Sequence, residues 1–324
     1  MIYFFVLIAL LTLEFLYFKV ADKFGIIDKP NFRSSHSKST VRGGGVIFYF
    51  GALFFFLYSG FQYPWFFFGL TLMTIISFVD DMFSLSNKLR ITIHFVSVIL
   101  LSIQLNLFQM DWYYLIVTFI VVVGVINAYN FMDGINGITF CYSFAVGLLL
   151  SIMNHQIDFV SQDLLTFTLI ALLVFAFFNF RQNARTFAGD VGSVSIAFIL
   201  MFCLGLLIIK TGDLIYILFL LIYGLDSIWT IVLRLKNREN IFKPHRSHLY
   251  QYLANEAGVN KLVVSSIYGV TQFILGLLII KVAKVDSILK WQFSICFVVV
   301  LSVFYLILKG YILRKYVKIK NSNV

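Results

Sequence analysis

Charge is scarce in this chain. Only 12% of its 324 residues are Asp, Glu, Lys or Arg, about half the usual share of a soluble domain. Hydrophobic residues make up 60%, more than a soluble core of this length can bury. Cysteine is scarcer still: Cys141, Cys203 and Cys296 each lie inside an apolar run and none forms a CxxC pair. That pattern suggests neither a disulfide framework nor a zinc site and leaves packing as their role. Basic residues are missing before Lys19, the reverse of a secretory signal peptide, so the first apolar stretch reads as a retained span. With no soluble module, low-complexity tract or sequence repeat in evidence, residues 1–324 are taken as one domain.

What the chain has in quantity is long apolar runs. A hydrocarbon layer about 30 Å thick takes about 20 apolar residues per helix, and runs of that order follow one another from Met1 to Ile312. They place spans at 1–18, 44–60, 64–79, 91–108, 113–129, 138–154, 164–180, 191–210, 213–234, 262–283 and 288–309. The expectation is an all-α polytopic membrane protein of about eleven transmembrane helices. Of the 25 Lys and Arg residues, 21 follow the odd-numbered spans, leaving Lys210, Lys281, Lys284 and Lys290 for the other face. The positive-inside rule then sets the N-terminus outside and the C-terminus in the cytosol. This distribution accounts for the net charge of +10 without nucleic-acid binding, since the basic residues are spread over membrane loops.

The polar chemistry is confined to the cytosolic connections, residues 19–43, 80–90, 127–137, 179–192 and 235–261. Carboxylates are costly in lipid, yet Asp80 and Asp81 end the third span, Asp133 follows the fifth and Asp190 opens the eighth. Four negative charges from three loops on one face repel each other unless a cation sits among them. Oxygen-only ligands point to Mg²⁺, with Mn²⁺ as the alternative. Asp80 and Asp81 are adjacent, so on a helix their side chains diverge by about 100° and make different contacts. An ordinary polar helix end beside Lys88 and Arg90 explains the pair equally well.

The segment NAYNFMDGING is denser, with Asn127, Asn130, Asp133 and Asn136 repeating every three residues. In a helical turn that spacing lines amides and carboxylate along one stripe. Amides can coordinate a metal through oxygen or read a nucleobase edge; a capped turn explains one such residue but not four. In RTFAGDVGS, from Arg185, the sequence opens a helix whose free N–H groups favour anions, with Asp190 as a metal ligand. Phe187 in the same segment is also compatible with interface packing. RSSH and VRGGG join Arg33 and Arg42 to a glycine run suited to phosphate, a weak signal alone. In KPHRSHLYQ, His245, Arg246 and His248 are better suited to phosphate or sugar contacts than to zinc, because no third His or Cys ligand lies nearby. Asp226 falls inside the ninth span, as a paired acid or part of a polar groove.

From DKPNFRSSH near residue 28 to PHRSH near residue 244, these motifs, in this order, resemble the polyprenyl-phosphate N-acetylhexosamine-1-phosphate transferase family. The family includes GlcNAc-1-phosphate transferases of surface-glycan synthesis and the phospho-N-acetylmuramoyl-pentapeptide transferase. The resemblance implies a cytosolic groove for metal and nucleotide sugar beside a lipid-open cleft. It assigns Asp80 and Asp81 to catalysis or acceptor positioning, Asn130 and Asp190 to the metal, and Asn136 to uracil. Phe187 stacks on uracil by the same analogy, Asp133 joins the nucleotide-binding group, and His245, Arg246 and His248 contact the donor, with Arg33, Arg42 and Arg185 as further phosphate or sugar contacts. Ser84, His94, Val41 and the PHRSH segment depart from the pentapeptide transferases and favour the O-antigen branch.

The partners implied are a UDP-N-acetylhexosamine, polyprenyl phosphate and membrane lipid, with a homodimer admitted, at the cytoplasmic membrane with a cytosolic active site. The products are UMP and a lipid-diphosphate sugar. The main alternative is a secondary transporter, which would place binding groups near the bilayer midplane and show repeats. A non-catalytic scaffold leaves the Asn/Asp clusters unexplained.

Overall fold

The computed structural model describes residues 1–30, 35, 38–83, 85–241, 243 and 245–317. Arg33, Ser84 and Pro244 of the PHRSH segment, all named from the sequence, lie outside the described residues. The helices are α1 (Ile2–Phe24), α2 (Ile47–Tyr58), α3 (Pro64–Phe83), α4 (Asn87–Gln104), α5 (Trp112–Met132) and α6 (Ile138–Ile157). They continue as α7 (Gln162–Asn179), α8 (Gly189–Thr211), α9 (Leu221–Lys236), the short α10 (Leu249–Gln251), α11 (Lys261–Val282) and α12 (Ser287–Ile312). The one strand pair among the described residues, β1 (Ile27–Asp28) with β2 (Thr40–Val41), is antiparallel.

Each expected apolar span coincides with one helical segment, and the chain is an all-α polytopic membrane protein. Among the described residues nine helical segments are long and apolar enough to cross a membrane. The other two are shorter or more polar: Gly44–Tyr58 is a short apolar stretch, and α4 carries Asn87, Lys88, Arg90 and His94 along its first half. Several helices run past the expected boundaries. α5 continues to Met132 with its polar side chains engaged: Asn127 donates to the Val123 carbonyl one turn back at 2.9 Å, and Asn130 donates to the Ser193 hydroxyl of α8 at 3.4 Å.

α8 forms the centre of the bundle, with 78% of its most apolar window buried. It packs against α2, α3, α5 and α6. α5 and α12 bury only 22% of theirs and turn residues such as Ile116, Ile120, Val299 and Ile307 outward, as lipid-facing helices can without penalty. Small residues let the central backbones approach. A Cβ on Gly192 of α8 would stand 2.6 Å from the Gly45 Cα, and one on Gly269 of α11 would stand 2.6 Å from the Cys141 carbonyl oxygen of α6. Such contacts replace the hydrophobic driving force that lipid removes.

Candidate active site

The loops after α1, α3, α5, α7 and α9 meet at one end of the bundle. What joins the first to the fourth is backbone pairing: Phe187 N–H donates to the Val41 carbonyl at 2.9 Å, Gly44 N–H to Phe187 at 3.0 Å, and Gly45 N–H to Ala188 at 3.2 Å. This lays Arg42 beside the start of α8. Tyr17 of α1 holds the same segment by donating its hydroxyl to the Arg42 carbonyl at 2.5 Å.

At the end of α3, Asp81 is fully buried and accepts the backbone N–H of Asp190 at 3.1 Å and of Val191 at 3.0 Å. Its oxygens therefore cap the N-terminus of α8, where unpaired N–H groups seek acceptors. Arg42 Nε lies 2.7 Å from Asp81 Oδ1, and its Nη2 lies 3.1 Å from Asp190 Oδ1. Arg90, from the first turn of α4, places Nη1 at 2.9 Å from Asp80 Oδ2 and Nη2 at 3.9 Å from Asp190 Oδ2. Asp80 also accepts the Leu85 N–H at 2.6 Å, which turns the chain from α3 into α4. The cations that the sequence argument required among these carboxylates are thus, for three of the four, the guanidiniums of Arg42 and Arg90.

The fourth carboxylate, Asp133, closes α5 and accepts the Thr139 hydroxyl at 2.5 Å. Burial pushes its pKa up to about 6; the Thr139 bond opposes that shift and the nearby Asp190 charge adds to it. The helical stripe read from the sequence ends here. Asn136 sits in the following loop, and its buried amide donates to the Arg181 and Gln182 carbonyls at 2.7 and 3.0 Å. Gly137, at φ 83°, makes that turn possible.

Two clefts open beside this array. The smaller, about 280 Å³, is lined by Asp28, Arg42, Asn130, Asp133, Asn136, Asn179, Phe187, Asp190, His245 and Gln251, among others. The larger, about 740 Å³, runs between α4, α5 and the loop after α9. Arg90, His94, Asn127, Lys243 and His248 supply its polar side, and Ile91, Phe119, Val123 and Phe131 its apolar wall. Asn130 and His245 border both. Burial, with the His248 and Arg234 charges, lowers the His245 pKa to about 4, so its ring meets a ligand uncharged near neutral pH.

The remaining sequence candidates stand elsewhere. Arg185 spreads over the Phe18 ring, 4.6 Å from its centroid, and Arg246 pairs with Glu256 at 3.1 Å; neither lines a cleft. Arg90 and Asp28 border the clefts, although in the sequence Arg90 stood only among the loop charges and Asp28 only within the DKPNFRSSH motif. The signal for Arg90 was its position one helix turn after the break that follows Asp80–Asp81.

A divalent ion fits the smaller cleft on donor chemistry. Asn130, Asp133 and Asp190 offer oxygen ligands, while among the described residues no three His, Cys, Asp or Glu groups converge closely enough to hold a metal.

Residues 63–210, which contain Asp80, Asp81, Asn130, Asp133 and Asp190, match the family model described as glycosyl transferase family 4. A probable undecaprenyl-phosphate N-acetylglucosaminyl 1-phosphate transferase of Bacillus subtilis (strain 168) is 26% identical over 274 residues, covering 77% of this chain and 75% of its own length. The undecaprenyl-phosphate alpha-N-acetylglucosaminyl 1-phosphate transferase of Escherichia coli O157:H7 is 29% identical over 280 residues, at 76% and 74% coverage. That of Yersinia pestis is 31% identical over 217 residues, at 59% and 58%. A carboxylate–arginine array at the mouth of a membrane bundle is thus carried on a segment that matches the family model of glycosyl transferase family 4, and the chain is similar along three quarters of its length to undecaprenyl-phosphate N-acetylglucosaminyl 1-phosphate transferases.

Proposed function

We propose that this protein transfers an N-acetylhexosamine 1-phosphate from a UDP-sugar to undecaprenyl phosphate at the cytosolic face of the cytoplasmic membrane. N-Acetylglucosamine is the sugar the relatives' names favour. O-antigen-type surface-glycan initiation is the pathway that the PHRSH segment favours. The observation that carries the reading is the pair of clefts that meet at Asn130 and His245 beside the Asp190 array. One is small and polar, as a nucleotide diphosphate requires. The other has an apolar wall between α4 and α5, as a prenyl chain requires.

In the reaction, an oxygen of the acceptor phosphate attacks the sugar-linked phosphorus and forms a new P–O–P bridge. The bond from that phosphorus to the UMP-side bridging oxygen breaks, and UMP leaves with the electron pair. A phosphate monoester has a second pKa of about 6, so the nucleophile is already largely dianionic and needs no strong base. Repulsion between two anionic substrates is what remains to be overcome. Phe187 offers a ring to the base, and Asn130 and the uncharged His245 offer hydrogen bonds where the two substrates meet. Asp81 holds the start of α8 and Arg42 in register, and Arg90 carries positive charge to the wall of the acceptor cleft. Mg²⁺ held by Asn130 and Asp190, with Asp133 on the nucleotide side of the same cleft, would supply neutralisation of the diphosphate.

A transporter fits less well, because the polar groups gather at one end of the bundle and not at its midplane. The test is UMP release by the purified protein supplied with UDP-N-acetylhexosamine, polyprenyl phosphate and Mg²⁺. Release that depends on both substrates and on the cation is expected, and release indifferent to the lipid phosphate would overturn the proposal.

A further inference from the structure

Asp226 is a carboxylate in the middle of α9, 1% exposed, and it lines neither of the two clefts described above. An acid in that position is costly unless its oxygens are fully engaged, and here they are. Oδ2 accepts the Tyr268 hydroxyl of α11 at 2.7 Å, and Oδ1 accepts the Tyr305 hydroxyl of α12 at 2.9 Å. Lys309, itself buried, donates to that Tyr305 oxygen at 2.9 Å and to Thr230 Oγ1 at 2.8 Å, which backs the carboxylate with positive charge through two hydroxyls.

The other side of the carboxylate faces the PHRSH segment. Asp226 accepts the backbone N–H of Leu249 at 3.0 Å and of Tyr250 at 3.4 Å, and its Oδ1 lies 3.3 Å from His248 Nδ1. The His248 ring is 2% exposed and stacks against His245 at 5.1 Å between centroids. It borders the larger cleft, and its Nε2 is buried without a hydrogen-bond partner. A carboxylate on one imidazole nitrogen fixes the ring's tautomer and orientation and leaves the other nitrogen to meet a ligand.

We infer that Asp226 is a positioning residue of the transfer reaction: it anchors the His248–Tyr250 turn and holds His248 so that Nε2 meets a phosphoryl oxygen. The inference rests on the transferase reading above. The chain Lys309, Tyr305, Asp226, His248 then ties α9 and α12 to the substrate without any of the first three touching it. The phosphoryl group belongs to the lipid acceptor or to the nucleotide sugar, and kinetics separate the two.

The test is a double-mutant cycle on the full-length protein, with Asp226→Asn, His248→Gln and the double variant. Each single change should lower kcat/KM about 10- to 100-fold, the range for losing a partner that orients a histidine. The double variant should be no worse than the poorer single one. A KM raised for polyprenyl phosphate assigns the phosphoryl group to the acceptor, and one raised for the UDP-sugar assigns it to the donor. Equilibrium binding of a short-chain polyprenyl phosphate and of UMP to the same proteins gives a readout independent of turnover, and the affected ligand should show the same non-additivity. If Asp226→Asn does not fold, Tyr305→Phe replaces it, with a several-fold loss that vanishes in the His248→Gln background. Additive losses, or full activity in His248→Gln, would overturn this inference while leaving the transferase reading intact. Absence of transfer by the native protein would instead overturn that reading, and the binding cycle would still decide the role of Asp226.

Discussion

At the scale of single residues, the site is organised by carboxylates that serve helix ends before they serve a substrate. Asp81 is the clearest case, since its two oxygens take the N–H groups of Asp190 and Val191 and the Arg42 guanidinium. Asp81→Asn keeps the shape but removes the charge, so the Arg42 pair and the helix-end interaction weaken together. A buried group left short of partners costs about 1 to 3 kcal/mol, roughly 5- to 150-fold in rate. The expected outcome is a loss of that order in kcat, with weaker UMP binding by calorimetry because Asp190 and Arg42 both line the nucleotide-sized cleft. Unchanged UMP affinity would mean that Asp81 acts only on the acceptor. Asp133 provides a pH handle. Its folded-state pKa is raised to about 6 against about 3.9 in an unfolded chain, so between these values the folded state binds the extra proton. Stability contributed by this group is present below pH 4 and is lost as pH rises through 6. Thermal unfolding in chelator should show that decline in the native protein and a flatter profile in Asp133→Asn. Parallel profiles would contradict the assignment.

At the scale of elements, the bundle depends on places where helices touch backbone to backbone. Gly192 is the sharpest, because an added side chain meets the Gly45 Cα and the Ala188 Cβ. Gly192→Val should separate the start of α8 from the segment that carries Arg42. Overpacking of this kind costs about 1 to 3 kcal/mol, and activity should fall more steeply than stability because Arg42 and Asp190 move apart. Normal turnover in a folded Gly192→Val protein would show that this contact does not set the site. The helices themselves were legible in the sequence, since each apolar run became one helical segment, but among the described residues only nine of the eleven are long and apolar enough to cross a membrane, and α5 continues beyond its apolar stretch through Asn127 and Asn130. The site was legible in part. Asp80, Asp81, Asn130, Asp133 and Asp190 converge because each sits at a helix end on the same side of the bundle. The cations were harder to place: Arg185 lies over Phe18 and Arg246 pairs with Glu256, while Arg90 turns in to Asp80. Spacing along the chain does not reveal which neighbour a long cationic side chain meets.

At the scale of the whole molecule, a central buried helix, α8, delivers Asp190 to a mouth formed by five loops. Lipid-facing helices such as α5 carry the wall of a second cleft that has both apolar and basic sides. That arrangement joins a water-soluble diphosphate to a membrane-bound phosphate, and it commits the protein to moving a phosphoryl-sugar unit and not a sugar alone. The two outcomes differ in the fate of one phosphorus atom. The most direct measurement supplies the purified protein with UDP-N-acetylhexosamine radiolabelled in its β-phosphate, together with polyprenyl phosphate and Mg²⁺, and follows the label. The expected result is label in the lipid product with unlabelled UMP released in equal amount; label left on released UDP, with a sugar on the lipid, would contradict it.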